Sequence, residues 1–150
     1  VSQGAESQPS PHGPVVAPVV LDTNIVLDLL LFQDPATLTL RAELAGNRLQ
    51  WIATVPMRDE LARVLTYPYI VKSLQHHGIS ATEVLAGFDA QAQIHVAAPR
   101  ASAVCKDADD QIFIDLAVDH QACLLSKDKA VLCMKKRLLA LSVKVLKAIE

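Results

Sequence analysis

The sequence predicts an α/β protein whose mainly parallel sheet, of four to five strands, is covered on both faces by helices. Three observations carry that prediction. Short apolar runs alternate with helical patterns along the chain, and such alternation builds a parallel sheet. Two of those runs, Val19-Val20-Leu21 and Cys123-Leu124-Leu125, are uninterrupted, as strands buried on both faces are. Both stop abruptly, in Asp22-Thr23-Asn24 and in Ser126-Lys127-Asp128. An acid, a hydroxyl and an amide at the first strand end have no packing role, and the carboxyl ends of strands are where open α/β sheets hold ligands.

Residues 1–14 are rich in Ser, Gln, Gly and Pro, and read as a disordered or processed tail before a single domain at 15–150. Val15 to Leu21 is the first strand. Asn24 to Leu31 has helical character and is interrupted by Asp34-Pro35; Ala36 to Ala45 is a second helical segment stopped by Gly46-Asn47. Gln50 to Val55 is a strand containing the only Trp, Trp51. Pro56 suits the first turn of the next helix, whose apolar stripe is Met57, Leu61, Val64 and Leu65, with Glu60 beside it. Tyr67-Pro68 closes that helix.

Ile70 to Gln75 and Ala81 to Gln91 are further helices, the second opened by a capping box, Ser80-Ala81-Thr82-Glu83. Ile94 to Ala97 is a short strand, and a polar loop leads to a helix from about Asp109 to His120. Ala122 to Leu125 is the fourth strand, Lys129 to Leu139 is helical, and Ser142 to Leu146 alternates like an edge strand.

With 150 residues, 51% of them hydrophobic, the chain can bury a real core. No apolar run approaches the ~20 residues of a membrane span, and no basic start with an apolar core suggests a secretory signal. The three cysteines have no C-x-x-C spacing; Cys123 and Cys133 read as small core residues, and a reducing cytoplasm is the expected compartment. The net charge of −2 hides an asymmetry. Asp107 to Asp119 holds five acids and no base, whereas Lys127 to Lys147 holds seven bases and one acid. That basic stretch is either a solvated helix face or a track for phosphate backbone beside an acidic site.

In a parallel sheet, Asp22 and Asp128 share one edge. The helix carrying Glu60 follows a strand and the helix carrying Asp110 enters from a loop, so their first turns also lie at or near that edge. Each acid has a plainer role open to it as a helix cap, a turn residue or an ion-pair partner. Four carboxylates in one crevice would repel strongly, and a hard divalent cation such as Mg²⁺ or Mn²⁺ is the usual resolution. Asp115 and Asp119 are expected to face solvent, and no histidine pair has zinc-type spacing.

Four segments in order then resemble the PIN-domain family of metal-dependent ribonucleases, many of them toxin components of bacterial toxin–antitoxin pairs. They are Val-Leu-Asp22-Thr23-Asn24, Asp59-Glu60-Leu61-Ala-Arg63-Val-Leu, Asp107-Ala-Asp109-Asp110-Gln-Ile-Phe-Ile-Asp-Leu-Ala117 and Leu-Leu-Ser126-Lys127-Asp128. The resemblance spans about residues 17 to 147. It implies a three-layer α/β/α sandwich, and Asp22, Glu60 and Asp110 as the core acidic triad with Asp128 a fourth acid, all as catalytic metal ligands. It implies that Asn24 and Ser126 orient acids or waters. The implied cofactor is Mg²⁺ or Mn²⁺, the implied substrate is RNA, and the implied partners are an antitoxin protein and a second copy of the chain. Two departures stand out. Ser126-Lys127-Asp128 replaces a common Thr-Gly-Asp, setting a cation next to the fourth acid, and Pro56 replaces a small hydroxyl residue.

Two other readings compete. A haloacid-dehalogenase-like phosphatase would use Asp22 as nucleophile, but it needs an acid where Asn24 stands, and it needs its hydroxyl and lysine before the late acidic pair. A non-catalytic PIN-like module would bind RNA or protein without cutting.

Overall fold

The computed structural model describes residues 16–149, so the tail expected at 1–14 lies outside the described residues. Five strands form one sheet: β1 (Ala17–Leu21), β2 (Leu49–Ala53), β3 (Gln93–Ile94), β4 (Cys123–Leu125) and β5 (Val145–Leu146). Their order is β3-β2-β1-β4-β5, and every pairing is parallel. Among the described residues eight α-helices connect and cover them, giving a three-layer α/β/α sandwich: α1 (Thr23–Leu27), α2 (Leu38–Ala45), α3 (Val55–Val64), α4 (Pro68–His77), α5 (Ala81–Gln91), α6 (Gln111–His120), α7 (Lys129–Leu132) and α8 (Lys135–Leu139). None is long and apolar enough to cross a membrane.

The uninterrupted apolar runs lie at the centre, as their composition requires. Val19, Val20 and Leu124 are fully buried, because β1 and β4 have helices on both faces. Trp51 of β2 meets Phe88 of α5 edge-to-face with ring centroids 5.1 Å apart. Phe113, Ile114, Leu116 and Ala117 bury the inner side of α6. The Ser80 capping box is present, with Glu83 N–H bonded to the Ser80 hydroxyl and Ser80 N–H to the Glu83 carboxylate, both at 3.0 Å.

The order of strands decides where a site can form. From β1 the sheet grows one way through β2 and β3; the chain then crosses back to lay β4 and β5 on the other side of β1. The crevice beyond the carboxyl ends of β1 and β4 is therefore the topological switch point, where doubly wound sheets bind ligands. Leu21 pairs with Leu125, so Asp22 and Ser126 are the first residues past the two strand tips.

Several expectations are corrected. Asp115 does not face solvent: it is buried, because residues after β3 leave the sheet and run along the outer face of α6. Its carboxylate accepts from the Ala101 N–H and from the Gln111 side chain, both at 2.8 Å. For the same reason β3 covers only Gln93–Ile94 and not Ile94 to Ala97. Cys133 is exposed and Cys123 half-buried, and the buried cysteine is Cys105; around Cys133 the inward positions are taken by Val131 and Met134, three residues apart. The expected helix from Lys129 to Leu139 breaks around Cys133 and Met134 into α7 and α8. After α1 the chain widens into a π-helical turn, Asp28–Phe32, closed by Gln33 in the left-handed region at φ 49°.

Candidate active site

Where β1 ends, the backbone turns directly into α1, and Asp22 is its N-cap. One carboxylate oxygen accepts the Ile25 N–H at 3.0 Å, and the other accepts the Ser126 hydroxyl. Only 4% of Asp22 is exposed. That burial pushes its carboxyl above the usual range; the bonds from Ser126 and Ile25 oppose the shift, and the charge of Asp128 adds to it. Ser126 is fully buried and serves both strand tips, since its oxygen also accepts the Asp128 N–H at 3.1 Å.

Asp128 caps α7, its carboxylate accepting the Ala130 N–H at 2.8 Å. This leaves its second oxygen for the crevice. Lys127 does not crowd it: the ammonium turns the other way and pairs with Asp28 of the π-helical turn. The sequence-level conflict between Lys127 and the fourth acid is thus resolved by a partner 99 residues earlier in the chain, invisible to local reading.

Glu60 comes from α3, where Pro56 occupies the first turn, as a proline can without losing a bond. The Thr23 hydroxyl donates to the Glu60 carboxylate. Asp110 stands just before α6, at the end of a short 3-10 turn (Ala108–Asp110) that Asp107 caps by accepting the Asp109 N–H at 3.0 Å. Among the described residues, one oxygen of Asp110, Oδ2, is buried with no hydrogen-bond partner. Burial first, then the charges of Asp128, Asp107 and Asp22, raise the Asp110 carboxyl to about 7. Carboxylate oxygens of Asp107, Asp110 and Asp128 all lie within 4.8 Å of one another.

The four acids singled out in the sequence, Asp22, Glu60, Asp110 and Asp128, line one cleft of about 320 Å³, with Asn24 at its rim. Asn24 is exposed, and among the described residues its side chain bonds to no acid; Thr23 does that work for Glu60. The four acids singled out in the sequence do not include Asp107, although its close approach to Asp110 and Asp128 makes it part of the cluster. The Asp107-x-x-Asp110 spacing was the available signal, since one 3-10 turn brings those two residues together.

Among the described residues no lysine or arginine forms an ion pair with Asp22, Glu60, Asp107, Asp110 or Asp128. A buried, unpartnered carboxylate oxygen amid acids that form no ion pair suits a small hard cation. The donor set is all oxygen, without histidine or thiolate, which favours Mg²⁺ or Mn²⁺ over zinc.

A family model described as PIN domain matches residues 18–130, a stretch containing every acid named above. No curated protein matches the chain.

Proposed function

The chain belongs to the PIN-domain family, and from that premise we propose that it is a Mg²⁺- or Mn²⁺-dependent endoribonuclease, the toxin of a toxin–antitoxin pair. The observation that carries this reading is the orphaned Oδ2 of Asp110, buried among carboxylates at the switch point of the sheet. Asp22, Glu60, Asp110 and Asp128 are the residues that would hold the cation, with Asp107 close enough to join them. When bound, the ion supplies a water made nucleophilic near neutral pH and a positive charge facing the scissile phosphodiester.

The chain's own residues prepare that site. Ser126 fixes the carboxylate of Asp22 and, through the Asp128 amide, the start of α7. Thr23 fixes Glu60. Both bonds restrict rotamers before a ligand arrives, so less ordering is left for the binding event. The acids lie outside the strand tips in an open cleft, which gives an extended polymer access to them. An antitoxin protein would act by covering that cleft.

The test is cleavage of single-stranded RNA by the purified protein. Wild type is expected to cut in Mg²⁺ or Mn²⁺ and to stop in EDTA, and Asp22→Asn is expected to be inactive. Equal cleavage by Asp22→Asn would overturn the site; silence of the wild type on varied RNAs would favour a non-catalytic binding module.

A further inference from the structure

One wall of the acidic cleft is aromatic and basic. The chain has two tyrosines, Tyr67 and Tyr69, and both line this cleft. They expose 39% and 66% of their surface, with ring centroids 6.3 Å apart and planes inclined by 39°. A single exposed ring is ordinary, but two side by side in a ligand-sized cleft present apolar surface that the described residues leave partly uncovered.

Their backbone is stiff. The Tyr67 N–H bonds to the Val64 carbonyl at 3.0 Å as α3 ends, and Tyr67 is the N-cap of α4, with Pro68 in its first turn. Proline fixes φ there, so the rings project from a rigid corner between two helices.

Arg63, one turn earlier on α3, lines the same cleft. It also lines an adjoining groove of about 310 Å³ with Pro56, Asp59, Glu60 and Asp109. Among the described residues no carboxylate is within ion-pair distance of Arg63, although Glu60 and Asp109 share both hollows with it. Its neighbour Arg58, by contrast, holds Asp89 through two bonds of 2.7 and 2.8 Å. A guanidinium left free beside the acids is placed to take an anionic group of a ligand, and a phosphate matches its fork.

We propose that Arg63, Tyr67 and Tyr69 form a positioning subsite for an unpaired nucleotide, its base stacked on the tyrosine rings and its phosphate held by Arg63. The inference rests on the ribonuclease reading and deepens it. Base faces in a duplex are already covered by their neighbours, whereas an unpaired base can be splayed onto an aromatic ring. The subsite would therefore select single-stranded segments and bring the adjoining phosphodiester over the acids.

Because Tyr67 and Tyr69 are the only tyrosines, protein made with 3-fluorotyrosine has two fluorine resonances, both from this wall. These are followed as Mg²⁺-containing samples are titrated with a short single-stranded RNA, its duplex, and a strand lacking bases. Single-stranded RNA is expected to move both resonances, and the duplex and the abasic strand to leave them in place. Tyr69→Leu should weaken binding by about tenfold and raise KM while kcat holds, with Tyr69→Phe restoring it. Arg63→Ala should lower the slope of log affinity against log salt by about 0.7. Resonances that stay still while RNA is cut overturn the subsite and leave the ribonuclease reading intact. Resonances that move without any cutting support the subsite and overturn the enzyme. Equal movement with duplex overturns the selection for an unpaired base.

Discussion

Ser126 is a single hydroxyl that serves two acids from a fully buried position. Ser126→Ala should cost about 10- to 100-fold in metal affinity or activity, as loss of a group that orients a ligand does. Asn24→Ala, at the exposed rim, should cost far less; metal titration and RNA cleavage rates on both variants check the ranking. Asp110 makes a sharper prediction. In metal-free protein its carboxyl sits at about 7, above its ordinary 3.8. Between those values the folded chain keeps a proton that the unfolded chain has released, so stability falls as pH rises, and the loss is complete above about pH 7. Asp110→Asn removes that loss. In EDTA above neutral pH it should melt higher than wild type while being unable to cut RNA, and a lower melting temperature at every pH would mean the carboxylate is not strained. Of the acids that line the cleft, Asp22 and Asp128 could be singled out in the sequence because each closely follows an apolar run whose carboxyl end faces the same edge of a parallel sheet. Thr23 could not, since a hydroxyl beside two better candidates gives no hint of which way it points.

At the level of elements, α5 was legible to the residue because its capping box marks the start in four consecutive letters. The outer face of α6 was misread. Asp115 and Asp119 are one turn apart and both polar, so periodicity assigns them to solvent, yet the cover over Asp115 is an irregular segment with no periodicity of its own. Asp115 there satisfies the Ala101 amide and the Gln111 side chain, and Gln111 in turn bonds the Ala103 carbonyl at 3.0 Å and the Cys105 N–H at 2.7 Å. Asp115→Ala leaves buried donors unpaired and should destabilise by about 1–3 kcal/mol, with Asp115→Asn milder; denaturant unfolding measures both. Because this strap leads into Asp107 and Asp110, the same variant should loosen the acid cluster and weaken metal binding as well.

For the whole molecule, alternating strands and helices were enough to give a parallel sheet with covered faces. The strand order was not legible, because which strand neighbours which is set by pairings between residues far apart, and β3 and β5 offer only two residues each. That order matters most for the site, since it makes β1 and β4 neighbours at the switch point. A cation bound only by the folded chain must then stabilise the entire sheet. Mn²⁺ at a hundred times its dissociation constant should add about 2.7 kcal/mol, read as a rise in melting temperature that Asp22→Asn does not share.

The bond that seats Asp22 is donated by a residue 104 positions later. A ribosome delivers the chain from its N-terminus, so Asp22 and Glu60 emerge long before Ser126 and Asp128. During that interval the nearest RNA is the messenger being translated and the ribosome itself. In a ribonuclease built this way the cutting centre cannot be armed until β4 has emerged and slotted in beside β1, when nearly all of the domain has been made. For such a ribonuclease, synthesis from one end would work as a safety catch, keeping a half-made chain from cutting the machinery that is making it.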